Sequence, residues 1–285
     1  MGKLRVYCLK TLNKLSIYPL GNTPSAPSAR SKYQSVIRSL MYLMLGTQPD
    51  LAYAVGKLAR FSANPLPAHF KAVDRVLLYI NATKDLYLEY DPDQTNVDVD
   101  AFTNADWAQS KPDRKSTSGY LFYINGTAFS WLSKKQSTVA TSTMEAEYIG
   151  LFHASQQAAW VKQFLAQTGH GLDYPIDIYC DSTAALATAA SENPHKLSKH
   201  LDIKLHSIRE RVENKVTKLK YTSTKDNTAD ILIKSLSVQL FQKHSSCLGL
   251  EPIDYDEEEE VNEMLTPLLD EGNAPESEMR GSVEV

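Results

Sequence analysis

Apolar positions along the first third of the chain recur with the spacing of helix faces. Three such stripes follow one another between residues 31 and 92, the second beginning after Asp50 and the third after Pro67. A short strand over 86–90 closes this region. The pattern predicts a small helical subdomain over 31–92. Residues 1–30 include a stretch rich in Pro, Ser and Ala and are predicted to form a loose lead-in segment.

From residue 96 onward, polar and apolar positions alternate in short segments separated by helical patterns. Alternation predicts strands at 97–102, 119–124, 127–132, 176–180 and 216–222. Asn125-Gly126 joins the second and third strands and favours a two-residue hairpin turn, because both central positions of that turn need positive φ. Helical patterns cover 142–167, the segment after 181, 198–214 and the segment from 228. The order β-β-β-α-β-α-α-β-α predicts an α/β domain with a mixed sheet over 96–250.

Charge is distributed unevenly between this body and the C-terminal segment. The chain is 42% hydrophobic and 22% charged, with a net charge of −4, which is typical of a globular protein. Residues 251–285 contain 13 acidic residues and one base, Arg280. The whole chain has 30 basic and 34 acidic residues, so residues 1–250 contain 29 basic and 21 acidic residues and carry a net charge of +8. The low aromatic content and the acidic run predict that 251–285 is a disordered tail.

Basic side chains are concentrated between Lys196 and Lys225, where nine Lys or Arg accompany three acids. A solvated helix face and a phosphate-contacting surface both explain this composition. No apolar stretch approaches the roughly 18 residues of a membrane span, and no signal peptide opens the chain. We therefore expect no membrane association and an intracellular location, cytoplasmic or nuclear. The three cysteines are far apart and odd in number, which argues against a disulfide framework.

Four polar motifs lie at the ends of predicted strands or at the starts of predicted helices. They are FTNADWA (102–108), TSTMEAEY (141–148), IYCDST (178–183) and NTADILIK (227–234). Glu145 fits a capping box with Ser142. Glu147 heads an apolar stripe, where an acid is costly unless it is paired, so it is either a metal ligand or a chance partly buried acid. Asp181 is also explained as a helix N-cap, and Asp230 as an acid that is favourable in the first turn of a helix. Only the four motifs taken together indicate a metal site.

These motifs resemble the C-terminal part of the copia-type retrotransposon Pol polyprotein, which is the end of the reverse transcriptase followed by an RNase H domain. The matching segments are SVIRSLMYLMLGTQPDLAYAVGKLARF, ADWAQSKPDRKSTSGYLFYINGTAFSWLSKKQSTVATSTMEAEYIGL, IYCDSTAAL, KHLDIKLHSIRERV and TADILIKSL. The resemblance covers about Tyr33 to Leu250. It implies an α/β, RNase H-like fold with a mixed five-stranded sheet flanked by helices over 96–250. It also implies that 31–92 is the helical C-terminal segment of a reverse transcriptase.

The resemblance implies hydrolysis of RNA in RNA–DNA hybrids with two Mg²⁺ ions, or Mn²⁺ in their place. By motif, the catalytic and metal-binding positions fall on Asn104, Glu147, Asp181 and Asp230. The family has an acid where this chain has Asn104, and a neutral amide supplies no bridging charge, so we expect an intact fold with severely reduced hydrolysis. Asp106 shares a strand face with Asn104 but is displaced by about 6.6 Å, so its use as a substitute requires a bulge.

The implied partners are the RNA–DNA hybrid and the rest of the polyprotein, namely reverse transcriptase and integrase. The candidate contacts to the nucleic acid are Arg114, Lys115, Lys134, Lys135, Lys199, His200, Lys204 and His206. Asp202 and His206 are four residues apart and could share a metal, although a salt-bridged helix face also explains them. The alternative function is that of a catalytically inactive retroelement relic that binds nucleic acid or acts as an interaction protein, with an unknown partner for the tail.

Overall fold

The computed structural model describes residues 4–6, 27–91, 96–110, 113–191 and 199–252, and only the backbone of 4–6 and 199–201. The predicted disorder of the tail therefore falls almost entirely outside the described residues. Glu251 and Pro252, which we assigned to the tail, belong to a strand. Within the lead-in segment, residues 4–6 form a strand and residues 27–30 already belong to a helix.

The helical segment consists of α1 (Pro27–Gly46), α2 (Ala52–Ala59) and α3 (Pro67–Ala82). A 3₁₀ turn over Pro49–Leu51 joins the first two. Helix α1 begins earlier than the apolar stripe suggested, since proline is tolerated in the first helical turn, where N–H groups have no intrahelical partner. The three helices enclose a separate core that includes Tyr33, Leu40, Leu43, Val55 and Ile80.

Two sheets follow from the strand pairing. A three-stranded antiparallel sheet has the order β1 (Leu4–Val6), β2 (Leu86–Tyr90) and β8 (Leu250–Pro252). The larger sheet has the order β5 (Thr127–Lys135), β4 (Thr117–Ile124), β3 (Val99–Ala105), β6 (Ile176–Cys180) and β7 (Thr217–Tyr221). Strands β3, β4 and β5 are antiparallel neighbours, whereas β6 and β7 run parallel to β3. Asn125 and Gly126 have φ of 51° and 84°, which confirms the predicted hairpin turn.

Helices cover the larger sheet. They are α4 (Thr143–Gln167), α5 (Thr183–Ala190), α6 (Lys199–Glu213) and α7 (Val238–Ser246). The apolar stripe of α4 packs on the central strands, where Ala154 and Val161 share a core with Ile176 and Ile178. The predicted α/β class, an RNase H-like mixed five-stranded sheet flanked by helices, is confirmed by this topology. The helix predicted from Thr228 is instead a 3₁₀ helix over Thr228–Leu232, separated from α7 because Ser237 caps a new helix start.

The helical segment packs against the larger sheet through hydrogen bonds and buried side chains. The indole of Trp131 on β5 donates to the carbonyl of Met44 at 2.8 Å. The Tyr90 hydroxyl donates to the Ala128 carbonyl at 2.6 Å. These contacts join the two parts of the chain along β5. No helix among the described residues combines the length and apolar character needed to cross a membrane.

Candidate metal centre

The ends of two neighbouring parallel strands place Asn104 and Asp181 side by side. Phe102 on β3 pairs with Tyr179 on β6; Asn104 lies two residues further along β3, and Asp181 directly follows Cys180, the last residue of β6. Ser182 caps α5, since its Oγ accepts from the Ala185 N–H at 3.2 Å. The N-cap explanation for Asp181 is therefore wrong, and its carboxylate remains available at the strand end.

The start of α4 separates the roles of Glu145 and Glu147. Ser142 Oγ accepts from the Glu145 N–H at 3.1 Å, and the Glu145 carboxylate accepts from the N–H and hydroxyl of Thr141 at 2.7 and 2.6 Å. Glu145 thus caps the helix, one residue further back than the capping box predicted. Glu147 is 9% exposed and accepts from the Ala105 N–H of β3 at 2.9 Å. Helical phase therefore directs Glu147 to the end of the sheet.

Glu147, Cys180 and Asp181 form the tightest group of candidate ligands in the described part of the chain. One donor atom from each lies within 4.8 Å of the other two. Burial, together with the charges of Asp181 and Asp230, raises the pKa of Glu147 to about 9, although the Ala105 N–H and Lys234 act in the opposite direction. Burial and the neighbouring carboxylates also raise the pKa of the Cys180 thiol. The group lacks positive charge, and a bound cation would supply it.

Asp230 lies in the same region but faces different partners. Its side chain is 1% exposed, and its Oδ1 accepts from Lys234 Nζ at 2.8 Å and from Asn104 Nδ2 at 2.6 Å. Burial raises the pKa of Asp230, while Lys234 and Asn104 act in the opposite direction. Asp230 is outside the group of Glu147, Cys180 and Asp181, but the charge of Asp181 raises its pKa and its own charge raises that of Glu147, so the three acids act on one another.

Asn104 uses both of its polar atoms in this arrangement. Its Nδ2 donates to Asp230, and its Oδ1 accepts from the Ala105 N–H at 2.7 Å. The side chain is only 3% exposed. A carboxylate at this position would have no proton to donate, so it would repel Asp230 unless a cation lay between them. Asn104 therefore stabilises the site without a metal.

Asp106 directly follows the last residue of β3 and is outside the group formed by Glu147, Cys180 and Asp181. Strand β3 ends at Ala105, and the Asp106 N–H donates to the Thr117 carbonyl at 3.0 Å. Burial raises the pKa of Asp106, while hydrogen bonds from Thr117 and Gln109 and the charge of Arg60 lower it. The Asp106 N–H thus continues the pairing with β4 one residue beyond Ala105, and the use of Asp106 as a substitute for Asn104 stays a prediction.

Two residues of the site were missed by the sequence analysis. Cys180 was considered only as a disulfide candidate, although its position directly before Asp181 placed it at the same strand end. Lys234 was quoted within NTADILIK without a role. Its spacing of four residues from Asp230 was the available signal, because side chains that far apart meet on a helical turn.

The candidate nucleic-acid contacts occupy varied surroundings. Arg114, Lys134 and His206 are exposed, and Lys115 and Lys204 are half-buried. Lys135 is paired with Asp113 at 2.5 Å, so its charge is already partly compensated. The side chains of Lys199 and His200 lie outside the described residues. Among the described side chains, no salt bridge joins Asp202 to His206, and both explanations for that pair stay predictions.

The chain is similar over most of its length to plant transposon proteins. It is 38% identical over 223 residues to the retrovirus-related Pol polyprotein from transposon TNT 1-94 of Nicotiana tabacum, covering 78% of this chain and 16% of that protein. It is 34% identical over 254 residues to the Pol polyprotein from transposon RE1 of Arabidopsis thaliana, covering 85% and 17%. This chain belongs to the retrotransposon Pol polyproteins. It spans about one sixth of the length of these relatives.

One further relative is short. The chain is 47% identical over 129 residues to secreted RxLR effector protein 161 of Plasmopara viticola, covering 45% of this chain and 90% of that protein. No family model matches the sequence.

Solved structures give a partial overlap only. The chain is similar to LC11-RNase H1 in complex with an RNA/DNA hybrid, with 16% identity, 47% of this chain and 93% of that chain covered, and a TM-score of 0.36. It is also similar to a foamy viral protease-reverse transcriptase in complex with dsDNA, with 12% identity, 75% and 40% coverage, and a TM-score of 0.44. Because both scores are below 0.5, the fold assignment rests on the strand order described above.

Proposed function

We propose that residues 96–250 act as a divalent-metal-dependent nuclease domain that hydrolyses the RNA strand of RNA–DNA hybrids, with a rate strongly reduced by Asn104. Membership in the retrotransposon Pol polyproteins and the RNase H-like sheet support the class of reaction. The observation that carries the proposal is Glu147, a carboxylate buried at the sheet end beside Asp181 with its pKa raised to about 9. A cation bound at that position would stabilise the ionised form of the acid.

The donor set fits a hard divalent cation. Glu147, Asp181 and Asp230 offer carboxylate oxygens, which Mg²⁺ and Mn²⁺ prefer. The neutral Cys180 thiol is a poor ligand for such ions, so we assign the binding role to the three acids. Asn104 fits less well, because its carbonyl oxygen is occupied by the Ala105 N–H and its amide nitrogen faces Asp230.

Bound divalent ions in such a site activate water and stabilise the leaving oxygen of a phosphodiester. The chain's own residues hold and orient that site. The Ala105 N–H fixes the Glu147 carboxylate, and Lys234 holds Asp230 and neutralises part of the local negative charge. Glu147, Asp181 and Asp230 would hold such a cation, and Asp230 Oδ1 is already used by Lys234 and Asn104.

Hybrid cleavage by the unmodified chain tests this function. We expect slow, metal-dependent cleavage of the RNA strand that chelation with EDTA abolishes. Glu147→Gln should eliminate it without loss of folding, since glutamine has the shape of the protonated acid that burial already favours. Cleavage that survives in Glu147→Gln would contradict the assignment of Glu147.

A second function, nucleic-acid binding without catalysis, is favoured by one specific contact. Asp230 is satisfied by both Lys234 and Asn104, so the site forms without an ion. Full-length protein that binds hybrid but shows no cleavage with Mg²⁺ or Mn²⁺ would establish this alternative. The reverse transcriptase and integrase parts of a polyprotein remain proposed partners under either function.

A further inference from the structure

Positive side chains converge on one surface away from the acids, formed by α4, α6 and the end of β5. The charges of Lys204 and Lys134 both act on His153. The Phe152 ring lies beneath two cations, with Lys204 Nζ at 5.9 Å and Arg211 Cζ at 5.8 Å from its centroid. We define the cationic face as Lys134, Lys204 and Arg211, which surround His153 and lower its pKa or lie over the neighbouring Phe152.

The cationic face has little anionic compensation of its own. Within the described part of the chain, neither Lys134, Lys204 nor Arg211 takes part in a salt bridge. Glu145 is the acid that acts on Lys204, and it is already bound to Thr141 at the helix cap. Arg211 donates to the hydroxyls of Ser207 and Ser155, which carry no charge. Clustered like charges are unfavourable, and an anionic partner would relieve that repulsion.

The chain itself contains a suitable polyanion. Residues 253–285 hold 12 acidic residues and one base, including Asp254 and an unbroken run from Asp256 to Glu260. The described body of the chain, by contrast, belongs to the segment 1–250 that carries +8. We propose that the acidic segment 253–285 docks on the cationic face.

The point at which this segment leaves the fold makes the contact feasible. The Ala128 N–H donates to the Leu248 carbonyl at 3.0 Å, and the described chain ends four residues later at Pro252, no more than about 13 Å from Leu248. Lys134 lies six residues further along the same strand, about 20 Å away. Lys134 is thus within about 33 Å of Pro252, and the eleven residues from Ile253 to Glu263 can extend over about 36 Å, so acidic residues of this stretch reach Lys134.

Docking of this segment would compete with nucleic acid for the same charges, and this part of the proposal rests on the proposed function. A segment tethered at this distance has an effective concentration of about 1 mM. If it binds as weakly as a non-specific polyanion contact, with Kd of about 10⁻⁴ M, it lowers the apparent affinity for another polyanion about tenfold. High salt should remove the effect, because charges separated by more than about 3 Å are screened at 1 M.

Zero-length carbodiimide cross-linking of the full chain, read by mass spectrometry, tests the docking without nucleic acid. We expect carboxylates of 253–263 to link to Lys134 and Lys204, and these links to disappear at 1 M salt. Lys71 and Lys218 are matched controls, since both are exposed and form no salt bridge among the described residues. Equal linkage to the control lysines, or links found only between different chains in an isotope-labelled mixture, would overturn the proposal.

Hybrid binding in EDTA by a variant with residues 257–260 changed from Glu to Gln tests the competition. We expect about tenfold tighter binding than the unmodified chain at low salt and equal binding at high salt. Unchanged affinity at low salt would overturn the competition. If neither protein binds hybrid, the proposed function fails, while the cross-linking result still decides the docking.

Discussion

The Asn104→Asp variant should lower the stability of the protein without metal and raise the activity of the site. In the unmodified chain, Asn104 Nδ2 donates to Asp230 Oδ1 at 2.6 Å, with exposures of 3% and 1% for the two residues. The variant replaces this donor with a second carboxylate. We therefore expect Asn104→Asp to destabilise the metal-free protein and to make its stability dependent on divalent metal.

The size of the effect follows from the buried contact. A hydrogen bond to a charged group contributes about 1.5–3 kcal/mol. Two carboxylates about 4 Å apart repel by about 4 kcal/mol at an effective dielectric constant of 20. Protonation and the nearby Lys234 reduce this repulsion, so we expect the free energy of unfolding to fall by about 2–4 kcal/mol. This loss is smaller than the full cost of leaving a buried charge unpaired. For a domain of this size the corresponding fall in Tm is about 4–16 °C.

Thermal unfolding with EDTA and with Mg²⁺ measures this loss and its recovery. A ligand present at about 100 times its Kd stabilises the native state by about 2.7 kcal/mol, so Mg²⁺ should return most of the lost stability. The same metal should stabilise the unmodified chain less. Asn64→Asp is the matched control, since it makes the same chemical change at an exposed residue. The reasoning is refuted if Asn104→Asp is as stable as the unmodified chain in EDTA, or if Mg²⁺ stabilises both equally.

Two other variants test the packing and the charges of the central sheet. A Cβ at Gly119 would lie 2.8 Å from Leu232 Cβ and 2.9 Å from Ile233 Cγ2, so Gly119→Ala should lower the free energy of unfolding in urea by about 1–3 kcal/mol. Gly46→Ala is the control, since its added Cβ meets nothing within 4 Å, and it should leave the free energy of unfolding unchanged. Equal losses for the two variants would contradict this. Burial, with the charge of Asp98, raises the pKa of Asp100 to about 6 from its ordinary 3.8. The folded state therefore binds more protons than the unfolded state between those values, and stability falls as pH rises from about 4 to 6. Asp100→Asn should remove this dependence and add about 1–3 kcal/mol at pH 7, and unfolding curves with the same pH slope for both proteins would disprove it.

Much of the larger domain could be predicted because its signals are local. The alternation of Ile176, Ile178 and Cys180 predicted β6 over the residues where it lies, and Asn125-Gly126 predicted the hairpin. The phase of α4 separated Glu145 from Glu147, since a helix turns each residue by a fixed angle. These features depend on neighbouring residues in the sequence.

The pairings within the site could not be predicted because they depend on contacts between distant segments. Asn104 and Asp230 are 126 residues apart and meet only once the sheet has formed. The position of Asp106 depends on pairing between β3 and β4, since its N–H donates to the Thr117 carbonyl, and alternation within one strand does not show that pairing. The same holds for β1 and β8, short strands that are recognisable by their pairing with β2.

Hybrid cleavage by Asn104→Asp beside the unmodified chain, under single-turnover conditions with Mg²⁺, tests the central claim most directly. Loss of one preorganised electrostatic contact typically costs about 10²–10³ in rate, so the variant should cleave faster than the unmodified chain by about that factor. The gain should disappear when Glu147→Gln is added. Equal rates for the variant and the unmodified chain would contradict the account, because Asn104 would then not be what limits this site.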